Sequence, residues 1–222
     1  MDFTQTIEPA SAVFVLTGTL AATVLRCGWK ECGVALRALA ALPKKPFDKD
    51  STRKELAAQI REIGEDGFLR AEPHHFGDGE FDAVADRLIS QRSVQGLHDE
   101  HRRHREKRLA LSERARDVLL QAAELAPVLG LAGTLLSLGG LAGGEGGSAG
   151  IAASIGMAVG TTFFGLICAH FLFAPLAAAI ARRSAAEEQA RQELIDWLAA
   201  GIEAAVRPMR PMPPVPDHRD AA

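Results

Sequence analysis

Few side chains in this 222-residue chain have the type and spacing to do chemistry, and most of those fail on spacing. Three cysteines, Cys27, Cys32 and Cys168, are too few and too scattered for a disulfide framework, and they lack the paired spacing of a zinc site. His98, His101 and His104 recur every three residues within HDEHRRHREKR, which puts them on a drifting face of one helix. Two of them could reach one metal ion, but five basic and three acidic neighbours in the same segment fit a solvated charged helix better. The adjacent His74 and His75 point opposite ways in an extended backbone. The run GGLAGGEGG lacks the Lys-Ser/Thr that a phosphate-binding loop needs. No nucleophile–base pair is apparent, so neither an enzyme nor a bound metal or cofactor is expected. A net charge of −3, 5% aromatic residues and no tyrosine argue against a nucleic-acid partner, which requires basic excess and stacking surfaces.

What remains is a set of hydroxyls, prolines and glycines in segments without charge. Thr134, Ser137, Ser154, Thr161 and Thr162 could line a polar, ion-accessible path, although each could equally bond back to its own helix turn. Pro127 and Pro175 each free a backbone carbonyl and can act as hinges. Gly130, Gly133, Gly156, Gly160 and Gly165 suit close helix packing, and Gly156 with Gly160 forms a GxxxG pair. The only ionisable side chains in these segments are His170 and Cys168. A proton or ion relay in a membrane normally needs a titratable carboxylate, so any conducting role requires a partner to supply it.

The elements that position these groups follow from where charge is missing. The mean hydropathy of +0.04 is that of an ordinary soluble domain, but it averages two unlike parts. Of the 25 Lys and Arg, 19 lie between Arg26 and Arg116 and six between Arg182 and Arg219. Charge-free runs cover Pro9–Leu25, Leu125–Gly144 and Gly146–Ala181. A bilayer core takes about 20 apolar residues, with a lower limit near 17, so three spans are expected. A soluble buried hairpin would keep a polar stripe, and the last run has none. Asp2 and Glu8, with no base, make the wrong leader for a cleaved signal peptide, so the first span is expected to remain as an anchor.

The basic flanks Arg26, Lys30, Arg114, Arg116, Arg182 and Arg183 stand at one end of every span, and only Asp2, Glu8 and Glu145 at the other. By the positive-inside rule the N-terminus and the short turn lie outside, and the large loop and tail inside. The expected organisation is a periplasmic N-terminus (1–8), transmembrane helix 1 (9–27), a cytoplasmic helical loop (28–117), transmembrane helix 2 (118–144), a periplasmic turn (145–150), transmembrane helix 3 (151–181), an amphipathic cytoplasmic helix (182–206) and a Pro-rich disordered tail (207–222). The fold class is thus an all-α integral membrane protein whose transmembrane helices are extended by cytoplasmic ones.

Within the loop, Trp29 and the spacing of Leu36, Leu39 and Leu42 predict that the first helix continues past the interface until Pro43. Ser51 and Glu55 predict a capped helix over Thr52–Ile63. A loop over 72–79, a helix over Glu80–Ser90 and a charged helix from about Ser93 straight into span two complete it. The tail helix sets Leu194, Ile195, Trp197, Leu198 and Ile202 against Glu187, Glu188, Arg191 and Glu203.

These segments carry a resemblance. Ala126-Pro127, Gly130 and Gly133-Thr134 resemble the APxxGxxGT opening of the penultimate helix in the MotA/TolQ/ExbB proton-channel family. Met157 to Gly165, followed by Pro175, resembles the last MotA helix with its TFxG…P order. GTLAATVLRCGWKECGVALRAL is similar to the second MotA helix and its cytoplasmic sequel, so the likeness covers about residues 7–185. The chain starts where the second of four MotA spans begins, and three spans with the N-terminus outside is the ExbB/TolQ arrangement. Met157, where ExbB-type proteins often carry glutamate, leans toward MotA.

The resemblance implies an ion-channel, stator-type subunit that forms a pentameric ring around a single-span MotB/ExbD/TolR-like partner in the bacterial inner membrane. The partner's aspartate takes up the ion, and ion flow drives work of the flagellar-stator or the TonB/Tol transport kind. Pro127 and Pro175 then become hinges at the cytoplasmic gate, and Thr134, Thr161 and Thr162 pore-lining hydroxyls. H+ and Na+ both stay open, because threonines of this set also occur in sodium-driven stators. Arg102, Arg103 and Arg105 are candidates for pushing a rotor by charge alone. A non-conducting membrane scaffold is the alternative function.

Overall fold

The structure, a computed structural model, describes residues 9–44, 47–66, 94–141 and 148–206. The loop and helix expected over 72–90, the outer turn and the Pro-rich tail lie outside the described residues. Every regular element among the described residues is helical: α1 (Pro9–Cys27), α2 (Trp29–Ala41), α3 (Lys49–Asp66), α4 (Val94–Leu141), α5 (Ser148–Ile167), a π-helical segment (Cys168–Phe173) and α6 (Ala174–Val206). Three helical stretches are long and apolar enough to cross a membrane, within Pro9–Cys27, Gly96–Gly140 and Gly150–Ala204.

Two local readings are corrected. The first helix does not run on past Cys27. Gly28 adopts φ 87° and ψ 156°, a conformation essentially reserved for glycine, and separates α1 from α2. Apolar spacing continues on both sides of the break, which is why periodicity alone ran through it. The cap of α3 is Asp48 rather than Ser51: its Oδ1 accepts the backbone N–H groups of Asp50 and Ser51 at 3.1 and 3.2 Å, so the helix opens at Lys49. By contrast α4 is one 48-residue helix through Pro127, in line with its unbroken spacing from Ser93.

The chain divides into two compact units, residues 1–47 with 105–189, and residues 48–104 with 190–222. In the first, a core of Ala35, Ala115, Val118, Leu119, Ala122, Ala126, Cys168, Ala169, Phe173, Ala177 and Ile180 joins α2, α4, the π segment and α6. The charge-free run Gly146–Ala181 explains this core. From residue 148 to 181 it forms 34 residues of helix, about 51 Å, against about 30 Å of hydrocarbon. The surplus apolar length must be covered by protein, and alanines on all three helices let them close on it. Arg183 fastens the same region: its Nη1 donates to Leu42 O and Lys44 O at 2.5 and 3.0 Å, satisfying carbonyls at the C-terminal end of α2. Glu31 of α2 also lies 3.9 Å from Arg114 of α4.

The second unit buries Leu56, Leu97, Leu194, Ile195, Leu198 and Ile202. Lys49 pairs with Glu193, and the Arg53 guanidinium lies 4.9 Å from the Trp197 ring centroid, tying α3 to α6. His101, expected on a solvated face, is buried, whereas His104 pairs with Glu100 at 3.3 Å. No group of three metal-ligating side chains occurs among the described residues. Arg102 and Arg103 are exposed, beside Asp99 and Glu100.

In the first unit Arg108 of α4 grips Glu188 of α6 with two parallel bonds, Nε to Oε1 at 2.5 Å and Nη2 to Oε2 at 2.9 Å. Glu188 is almost fully buried, so an unpaired carboxylate there would be costly. Arg108→Ala is therefore expected to destabilise the purified protein by about 3 kcal/mol in denaturant titration, and Arg108→Met with Glu188→Leu to recover most of that loss. An additive double variant would show that the pair is not coupled.

Candidate functional site

The contact between α4 and α5 is set by glycines. A Cβ on Gly130 would stand 2.8 Å from Thr161 O and 3.2 Å from Thr162 Cα. One on Gly165 would meet Ala126 O at 2.8 Å, Gly130 Cα at 3.2 Å and Pro127 Cα at 3.3 Å. On Gly133 it would collide with the Thr161 side chain at 2.8 Å. The two backbones are thus in direct contact over two turns, a spacing only glycine permits. Gly160 turns instead to α1, where Ser11 Oγ lies 3.0 Å from the built Cβ position. Its GxxxG partner Gly156 meets nothing within 4 Å in this chain.

This packing separates the three threonines. Thr134 and Thr162 line one open groove of about 440 Å³ between α4 and α5, with Leu138, Ala158, Val159, Phe163 and Leu166. Thr161 is buried and points to the other side, into a cavity of about 240 Å³ shared with Phe14, Gly133, Leu136, Ser137 and Met157. Adjacent helical residues lie about 100° apart, so the two cannot serve one face. Each hydroxyl donates within its own helix: Thr134 to Leu131 O at 2.5 Å, Thr161 to Ala158 O at 3.0 Å, Thr162 to Ala158 O at 3.4 Å and Ser137 to Gly133 O at 2.9 Å. With their protons donated within the helix, the hydroxyl oxygens of Thr134 and Thr162 keep acceptor capacity for a cation or a protonated group.

The prolines act differently. Pro127 sits inside an unbroken α4, against Gly165. Pro175 follows the π segment Cys168–Phe173, whose closing bond runs from Ala174 N–H to Ala169 O. The wider turn gives the proline ring room that an α-turn denies it. The residues that bear on α1 packing were missed in the sequence. Ser11, Val15, Thr19 and Thr23 form its buried stripe at four-residue spacing, and neither Ser11 Oγ nor Thr19 Oγ1 has a hydrogen-bond partner among the described residues. That regular spacing of small hydroxyls was the available signal.

Because the atoms facing Gly130 and Gly165 are backbone, neither helix can yield to a side chain at the crossing. Gly130→Ala and Gly165→Ala are each expected to destabilise the detergent-solubilised protein by about 1–3 kcal/mol, read by thermal unfolding, whereas Gly156→Ala leaves the subunit fold unchanged. Equal effects at all three positions would remove the crossing from its structural role.

Comparison with known proteins agrees with this arrangement. The family model of the MotA/TolQ/ExbB proton channel family matches residues 74–193. Among curated proteins none matches the chain. Of the solved structures, the flagellar MotAB stator complex from Bacillus subtilis is similar over 91% of this chain and 81% of its own, with TM-score 0.74 at 19% identity. The C. jejuni MotAB structure is similar over 89% and 80%, with TM-score 0.76 at 18% identity. At such identity the likeness is one of fold, but the matched family segment spans α4, α5 and both groove threonines. With three membrane-length helices and this segment, the chain belongs to the MotA/TolQ/ExbB proton channel family.

Proposed function

We propose that this chain is the channel subunit of a motor driven by an ion-motive force, with Thr134 and Thr162 lining the ion's path. The observation that carries this reading is their pairing on one open groove between helices whose charge-free runs hold no Asp, Glu, Lys or Arg. Hydroxyl oxygens offer a polar surface without trapping the ion, and the titratable carboxylate comes from a single-span MotB/ExbD/TolR-like partner. The likeness to two MotAB structures supports a partner of the MotB kind and a flagellar-stator type of work. A partner bearing a small ExbD-like domain would point to transport energising instead.

In this reading the subunits form a homopentameric ring around the partner, in the bacterial inner membrane. The N-terminus lies in the periplasm and the C-terminus in the cytoplasm, as the basic flanks favour. Exposed Val128, Leu131 and Leu135 suit a lipid or neighbouring-subunit surface. Pro127 and the π segment before Pro175 provide the places where α4 and α5 flex as the partner carboxyl changes charge. The chain itself makes and breaks no substrate bond and carries no cofactor. The conducted ion is H+ or Na+.

The test is ion flux in proteoliposomes holding the chain with its partner, measured with a pH dye and, separately, with ²²Na+. Thr162→Val is expected to lower H+ flux about tenfold, a barrier increase of about 1.4 kcal/mol, with assembly unchanged in size-exclusion chromatography. Thr161→Val, on the packing side, should lower thermal stability more than flux. Flux unchanged by Thr162→Val would exclude the groove as the path, and a complex that conducts neither ion would favour a scaffold.

A further inference from the structure

His170 is a titratable side chain that the groove reading leaves without a role. Besides Cys168 it is the only ionisable residue between Gly146 and Ala181. It lies in the π segment and is exposed, while Cys168, Ala169 and Phe173 of the same segment are buried. Its alignment is the informative point. Along α5 the groove is lined by Val159, Thr162, Phe163 and Leu166, at three- and four-residue steps, and the next four-residue step reaches His170. The imidazole therefore continues the groove's own stripe, one turn beyond Leu166 and about 12 Å along the axis from Thr162. It stands toward the end of the helix followed by Arg182 and Arg183.

We propose that His170 is the proton-transfer residue at the basic-flanked mouth of the groove. This rests on the groove being the ion path. A neutral imidazole nitrogen accepts the proton of the partner's carboxylic acid after it has passed Thr162: the O–H bond breaks, an N–H bond forms, and carboxylate and imidazolium remain. The imidazolium then passes a proton to water on that side and returns to the neutral ring. Imidazole suits the step because one ring nitrogen accepts a proton while the other already carries one. Gly165 packs on Ala126 and the helices run antiparallel, so the charged groups near His170 in register are Arg116, Asp117 and Glu124 of α4. Beyond them stand Arg26 of α1, Lys30 and Glu31 of α2, and Arg182 and Arg183 of α6. Glu124 lies 3.8 Å from Arg26 and Glu31 lies 3.9 Å from Arg114.

The experiment uses the full chain with its partner in proteoliposomes, with the pH on both sides stepped together from about 8 to about 5 so that a fixed membrane potential is the whole driving force. Wild-type flux toward that side is expected to fall several-fold, because a protonated ring cannot accept. His170→Gln should lower flux at pH 8 by at least about tenfold and remove this fall at low pH. His170→Ala should regain flux on addition of free imidazole, which a purely structural role would not allow. A Gln variant with wild-type flux and pH profile, or an assembled Ala variant that imidazole does not rescue, overturns the proposal. Thr162→Val in the same assay separates the two claims: if it lowers flux while His170 substitutions do nothing, the groove stands and the relay falls. If it leaves flux intact, the groove itself falls.

Discussion

Everything distinctive in this fold depends on the backbone contact between α4 and α5. Gly130, Gly133 and Gly165 bring the helices so close that a single Cβ would meet a carbonyl oxygen or a threonine side chain at 2.8 Å. In a bilayer, where lipid tails remove the hydrophobic incentive for helices to associate, such contact supplies dispersion that larger residues cannot. It also fixes rotation. Once Gly133 faces Thr161, Thr162 must look about 100° away, into the groove it shares with Thr134.

A second constraint is length. The last charge-free run is longer than the hydrocarbon is thick, and its surplus becomes a protein core with α2 and α4. Cys168, Ala169, Phe173, Ala177 and Ile180 face that core, and Arg183 closes it by satisfying the end of α2. The π segment lies where the run changes its surroundings, just before Pro175. A widened turn resolves the proline's clash without ending the helix, so α5 and α6 form one continuous path with a built-in soft point.

The chemistry of the groove is set by what it lacks. A carboxylate on the chain would place a fixed titratable charge in the groove, whereas hydroxyls already bonded to their own helices present only lone pairs. Such a wall can accommodate a charged group that arrives from elsewhere and leaves again.

Much of this was legible in the residues. The empty intervals among 25 basic residues mark the spans, and the APxxGxxGT and TFxG…P segments mark the family, because charge in a membrane and glycine at a crossing tolerate few substitutes. Local detail was less legible where two readings satisfy the same rule. Ser51 with Glu55 makes as good a cap on paper as Asp48, and only the path of the first turn decides between them. Apolar spacing runs through Gly28, and only its φ of 87° shows the break. Three histidines at equal spacing do not announce that His101 alone is buried. Composition and spacing by themselves determined that the chain is helical, crosses a membrane and carries hydroxyls in place of charges. Which hydroxyls share a surface was decided only by the packing, because the rotation of a helix is set by its neighbour and not by its own sequence.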